Sequence, residues 1–159
     1  MLSLSLVVSI RLWGKQISDE DQEQEHVQEM NEVYFDHEKL KVYQKAIEFV
    51  VWVHKVLRDI KTKNPTIDQF ERASDSIALN IAEGNGKFSG KDRCRYFDIA
   101  KGSSLESAAC LDVLHSKGLV NDEMLIQGKN QLKEVVSMIM GLIKSNSDRV
   151  YESEENYTL

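Results

Sequence analysis

The stretch Ile67-Asp68-Gln69-Phe70-Glu71-Arg72-Ala73-Ser74-Asp75-Ser76-Ile77-Ala78-Leu79-Asn80-Ile81-Ala82-Glu83-Gly84 decides the fold class. Ile67, Phe70, Ser74, Ile77 and Ile81 recur at steps of three and four, the spacing of a helix with one buried stripe. Strand-like alternation is absent from it. Thr66 and Gln69 fit a capping box, in which hydroxyl and amide satisfy the orphan donors of a helix start. Gly84 stands where a left-handed residue closes a helix.

Working outward, the same period returns three times. On the C-terminal side, Ser89 to Asp92 can cap a helix from about Gly90 to Lys117. Its face is Phe97, Ala100, Ser104, Ser107, Leu111 and Leu114, and Gly118 follows its end. The small residues on that face permit close helix approach. Asn121 then caps a helix whose first turn holds Asp122 and Glu123 and whose stripe is Leu125, Leu132, Val135, Ile139 and Leu142, fading near Ser145. On the N-terminal side, Asp36 can cap a helix that runs to about Ile60 and carries Leu40, Tyr43, Ile47, Val50, His54 and Leu57 as one stripe. Lys55, Arg58, Lys61 and Lys63 gather at its end, where the helix dipole favours cations. Asn64-Pro65 ends it. Four amphipathic segments joined by short turns force antiparallel neighbours, so the expected architecture is all-α, an antiparallel up-and-down four-helix bundle.

Composition agrees with one such domain: 159 residues, 42% hydrophobic and 29% charged, with eight Gly and a single Pro. Cys94 and Cys110 lie sixteen residues apart in one helical pattern, too far along a rod for a disulfide. They read as reduced core residues of a cytoplasmic protein. No run reaches the eighteen apolar residues of a membrane span. The net charge of −6 comes from the ends: residues 34–146 hold 17 basic and 15 acidic side chains. Residues 1–33 read as a disordered or mis-assigned acidic leader, with Met30 an alternative start. Residues 147–159 read as an acidic disordered tail. Met1 to Ile10 is apolar, but its basic residues, Arg11 and Lys15, follow rather than precede it, against a signal peptide.

Chemistry-bearing motifs are few. The loop from Gly84 to Asp92 is glycine-rich but fails the P-loop pattern, since Asn85 stands at the first glycine position and Asp92 at the magnesium-binding hydroxyl position. It reads as a helix–helix turn. His26, His37, His54 and His115 lack metal-site partners, and His54 on an apolar stripe reads as a core histidine. Glu38 and Glu106, or Glu83 and Glu106, could meet across helices, but no Glu-x-x-His pair accompanies them. The expectation is no enzyme, no cofactor, no metal and no small-molecule substrate. Ser76, Asn80, Glu83, Ser103 and Glu106 are expected to face inward and bond between helices or line a subunit contact. Lys87, Lys91, Arg93, Arg95 and Lys101, interleaved with Phe88, Tyr96 and Phe97, form the densest basic run and the candidate nucleic-acid surface, diluted by Asp92 and Asp98.

Arg72-Ala73-Ser74-Asp75-Ser76-Ile77-Ala78-Leu79-Asn80-Ile81-Ala82-Glu83-Gly84, followed by Ala100-Lys101-Gly102-Ser103-Ser104-Leu105-Glu106, resembles the bacterial four-helix-bundle family named for proteins encoded in intervening sequences of 23S rRNA genes. Leu40-Lys41-Val42-Tyr43-Gln44-Lys45-Ala46 resembles that family's first-helix signature. The resemblance implies a protomer that assembles as a homopentameric ring. It also implies kinship with accessory proteins of diversity-generating retroelements, which bind a reverse transcriptase and nucleic acid. Asn80, Glu83, Gly84, Gly102, Ser103 and Glu106 would be its motif residues, for packing and assembly. The leading expectation is a non-catalytic oligomeric module that contacts RNA or a ribonucleoprotein partner through Lys87, Lys91, Arg93, Arg95 and Lys101; the alternative is a protein-interaction scaffold with no nucleic-acid role.

Overall fold

The computed structural model describes residues 35–147; the leader and the tail lie outside the described residues. A single 3-10 turn, Asp36–Lys39, leads into four helices: α1 (Lys41–Arg58), α2 (Pro65–Gly86), α3 (Gly90–Ser116) and α4 (Asp122–Asn146). Backbone packing runs α1 to α2, α2 to α3, α3 to α4 and α4 back to α1, with no diagonal pairing, as an up-and-down bundle requires. It is most extensive between α2 and α3 and least between α1 and α4. None of the described helices is long and apolar enough to cross a membrane.

Local chemistry explains most boundaries. The Asn64 side chain accepts from the Thr66 amide at 3.0 Å, and Pro65 occupies the first helical position, where a missing N–H costs nothing. The cap of α2 is therefore Asn64 and not Thr66. Ser89 accepts from the Asp92 amide at 3.1 Å and donates to its carboxylate at 2.6 Å, while Asn121 accepts from the Met124 amide at 2.8 Å. Both caps are those expected. Gly118 has φ +69° and closes α3. Asp36 does not cap α1: it opens the 3-10 turn, and α1 begins behind Leu40 with no side-chain cap.

Gly84 departs from its expected role. It is buried within α2, which continues to Gly86. A Cβ there would lie 2.7 Å from the Phe97 ring and 3.1 Å from Tyr96 Cβ, so glycine serves the close approach of α2 to α3 rather than a turn.

The core is built around Phe49, Phe70 and Phe97, all fully buried, with Ile77, Ile81, Leu111, Leu114 and Ile139. Burying each such side chain stabilises the fold by about 1.5–3 kcal/mol. Ser74, Ser104 and Ser107 are also buried, and each hydroxyl donates to a carbonyl one turn back in its own helix. They bring α2 and α3 together without an unsatisfied polar group.

The stripe of α1 is the main correction. Its buried residues are Val42, Ala46, Phe49, Val53, Val56 and Leu57. Ile47 and Val51 are 40% and 47% exposed, and His54 lies in solvent. α1 thus carries apolar side chains beyond its buried stripe: Ile47, Val50 and Val51 form a short second stripe, while Leu40 and Tyr43, expected in line with Ile47, pack against the core.

Candidate functional site

Two neighbouring surfaces hold the residues that the sequence singled out. The first is the seam between α2 and α3. The Ser76 and Ser103 hydroxyls meet at 2.8 Å across it. The Asn80 amide donates to the Ser76 carbonyl at 2.7 Å and to its hydroxyl at 3.0 Å, and Ser103 donates to the Ile99 carbonyl at 3.0 Å. This short network fixes the register of two helices already held close by Gly84. Glu83 and Glu106 do not face inward: both are exposed. Glu83 pairs with Lys87 at 3.0 Å, and Glu106 accepts from the Gln69 amide. A carboxylate keeps more hydration at the rim than inside, and each finds its donor there. Glu83 and Glu106, which could have met across the helices, therefore do not pair with each other.

Gly102 is exposed, and a Cβ on it would meet nothing. Nothing among the described residues requires a glycine at this position. With Ile99, Glu106, Ala109 and Val113 it makes a smooth outer face on α3, bordered by Leu105 at 57% exposure.

The second surface is the basic run, which the fold divides. Arg93 is half-buried and acts as a clip. Its guanidinium donates to the Asn85 carbonyl at 2.9 Å, the Lys87 carbonyl at 3.1 Å and the Asn146 side-chain oxygen at 3.2 Å. It thereby satisfies carbonyls at the end of α2 and ties that end to α4. Lys87 pairs with Glu83 and lies 4.7 Å from the centre of the Tyr96 ring; Lys101 pairs with Asp98 at 3.3 Å. The Lys87 ammonium and the Tyr96 hydroxyl hold the Glu83 carboxyl below its ordinary pKa, and the same Glu83 bond raises that of Lys87. Lys91 and Arg95 have no ion-pair partner among the described residues. The structure thus leaves two open cations of five. Phe88, in the turn between them and Lys87, is completely exposed.

The glycine-rich loop is a helix–helix turn, with Gly86 ending α2 and Gly90 beginning α3 against the Asn146 carbonyl. His115 sits 2.6 Å from Asp122 and links the end of α3 to the start of α4. Cys110 is buried, and burial pushes its thiol pKa up, the direction of an inert core thiol. Among the described residues no three His, Cys, Asp or Glu side chains gather as a metal site.

Residues 38–141 match the sequence model of the 23S rRNA-intervening sequence protein family, so the match spans α1, α2, α3 and most of α4. The chain belongs to that family. A crystal structure of a protein of unknown function from the S23 ribosomal protein family of Bacteroides thetaiotaomicron superposes with a TM-score of 0.61 at 24% identity. The alignment covers 65% of this chain and 98% of that one, and it establishes the shared fold. No functionally curated protein matches. Of the residues singled out by the motif resemblance, Gly84 and Ser103 lie in the α2–α3 seam, Asn80 bonds Ser76 within α2, and Glu83, Gly102 and Glu106 lie on the surface.

Two features of these surfaces escape a reading of charge and period. Arg93 looks like one more cation in a run, because its three acceptors come from a turn and from a residue 53 positions away. The second stripe of α1 looks like the core stripe, because both follow the same period.

Proposed function

We propose that the chain is a non-catalytic, oligomeric helical-bundle protein that works by association, as a scaffold. The observation that carries this reading is the short apolar stripe of α1 outside the core, Ile47, Val50 and Val51, of which Ile47 and Val51 remain 40% and 47% exposed. A helix normally keeps one apolar face for its own domain; a second is material for contact with another chain. The outer face of α3, with Ile99, Gly102, Leu105 and Val113, is a second and unlike patch. Two unlike patches on one protomer suit a head-to-tail contact, which closes into a ring when the rotation allows. A homopentamer, implied by the motif resemblance, is such a ring. Light scattering on the purified chain should give a mass of about five protomers, and V51E or L105E should reduce it to one. A wild-type protein that stays monomeric at high micromolar concentration would sink the reading.

A second reading has its own observation. Lys91 and Arg95 stand unpaired beside the bare Phe88 ring, which suits RNA or a ribonucleoprotein partner, including a reverse transcriptase complex. A ring would repeat this small patch and add avidity. RNA binding that weakens with salt and disappears in K91E/R95E supports it. A protein partner that stays bound after nuclease treatment, with no RNA affinity in the pure protein, favours the scaffold alone.

A further inference from the structure

The end of the bundle opposite the Arg93 clip holds a different group of cations. Lys55 and Arg58 lie in the last turn of α1, Lys61 and Lys63 in the connection to α2, and all four are exposed. Folding adds Lys117 from the C-cap of α3. Its ammonium stands 3.4 Å from the Asn64 side-chain oxygen and 3.5 Å from the Thr66 hydroxyl, more than fifty residues away in the chain. Those two contacts are long and neutral. The one ion pair in the group joins Arg58 to Asp59 at 3.9 Å, with both side chains mostly in water. Lys55, Lys61, Lys63 and Lys117 have no ion-pair partner among the described residues. Asp68 in α2, Asp112 in α3, and Asp122 and Glu123 at the start of α4 are the other acids at this end; Asp112 is already held by Lys129 and Asp122 by His115.

We infer that this end of the bundle, formed by Lys55, Arg58, Lys61, Lys63 and Lys117, is a binding surface for the phosphate backbone of a nucleic acid. Like charges brought together by folding repel one another, and a polyanion relieves that repulsion while releasing its own counterions. The chemistry also limits the mode of recognition. The first donors of α2 are already capped by Asn64, so no backbone cradle for a single phosphate is available, and attraction comes from the side-chain cations. The fully exposed Phe88 and the exposed Phe35 belong to the other end of the bundle, so among the described residues this end exposes no Phe, Tyr or Trp ring, and only the His54 imidazole, to stack on a base. Binding is therefore to the backbone, without sequence preference, and to single and double strands alike. The connection, residues 59–64, also exposes no large apolar side chain to insert into a lipid headgroup layer, which sets a phosphodiester chain above a membrane as partner. This surface is separate from the Lys91 and Arg95 patch and does not depend on the association reading.

The test is fluorescence anisotropy with the full chain and labelled RNA, using a homopolymer single strand and a mixed-sequence duplex, over a salt series. Comparable affinity for both is expected, with a log–log salt slope of roughly −3 to −4 for about four phosphate contacts. K61E/K63E/K117E should lower affinity on the order of a hundredfold at low salt. K61Q/K63Q/K117Q should lower it less and flatten the slope, with light-scattering mass and helical content unchanged for both. K91E/R95E should retain the duplex binding. The proposal is overturned if the triple variants bind like wild type, if K91E/R95E alone abolishes all binding, or if the end binds anionic vesicles or polyglutamate-competing acidic protein but no RNA.

Discussion

The two ends of the bundle hold similar numbers of cations and treat them differently. At the α2–α3 turn, Arg93 is pulled under the chain to bond two carbonyls and Asn146, Lys87 is taken by Glu83, and Lys101 by Asp98. At the α1–α2 connection, Lys61, Lys63 and Lys117 face water, with only long neutral contacts at Lys117. The density of basic residues in a sequence therefore does not measure available charge. Arg93 is drawn into structure because three acceptors lie within reach of one guanidinium, whereas the lysines at the other end keep their ammonium groups in water.

The sharpest way to break this contrast is at Arg93. R93A should lower stability by about 2–3 kcal/mol, since charge-assisted bonds are lost and half-buried acceptors are left behind. That corresponds to a thermal midpoint lower by roughly 10 °C. R93K should restore little, because one ammonium cannot span three acceptors arranged around a planar fork. K63A at the other end should change stability by less than about 0.5 kcal/mol. Equal losses in thermal melts at the two positions would erase the distinction.

Gly84 tests the close approach behind the clip. G84A places a Cβ against the buried Phe97 ring, for an overpacking cost of about 1–3 kcal/mol. Alanine's helix propensity returns up to about 1 kcal/mol. A net loss of about 1–2 kcal/mol in denaturant unfolding is expected, and a gain would show that α2 and α3 can part cheaply. Smaller again is N64A, which removes the cap of α2 at the open end and should cost about 1 kcal/mol. It leaves all five cations in place, so RNA affinity should hold while stability falls.

Much of the fold is open to sequence reading because helical period and capping chemistry are local. The stripes of α2 and α3, the caps Ser89 and Asn121 and the glycine after α3 follow from side chains within one or two turns. Where two local signals competed, tertiary contact decided. Asn64 and Thr66 can both cap, and Pro65 settles the choice by fitting only one register. Gly84 has the chemistry of a helix end, but the Phe97 ring gives it a use inside the helix. In α1 the stripe through Ile47 and the stripe through Phe49 are equally periodic, and only the positions of α2 and α4 say which is covered. The candidate site was legible as composition and not as geometry, since Asn146, one of the three partners of Arg93, and both contacts of Lys117 lie more than fifty residues away.

The smallest expected effect concerns the engaged lysine itself. Glu83 titrates below its ordinary value because the Lys87 ammonium bonds it and the Tyr96 hydroxyl assists. A carboxyl depressed in the folded state contributes stability above its unfolded pKa, and loses that contribution as pH falls through the folded one. Lys87 is raised, so its share is present below its unfolded pKa and is lost as pH rises through the folded value, in strongly alkaline solution. Both groups are open to solvent, so the effect is a slight slope and not a transition. E83Q should flatten the acid side of the stability curve slightly, lower the titration midpoint of Lys87, and leave neutral-pH melting almost unchanged. Carboxyl NMR reads it directly: a Glu83 midpoint at or above that of an unfolded glutamate would mean that Lys87 is free in solution, and that the α2–α3 end has one more cation to offer a phosphate than its ion pairs imply.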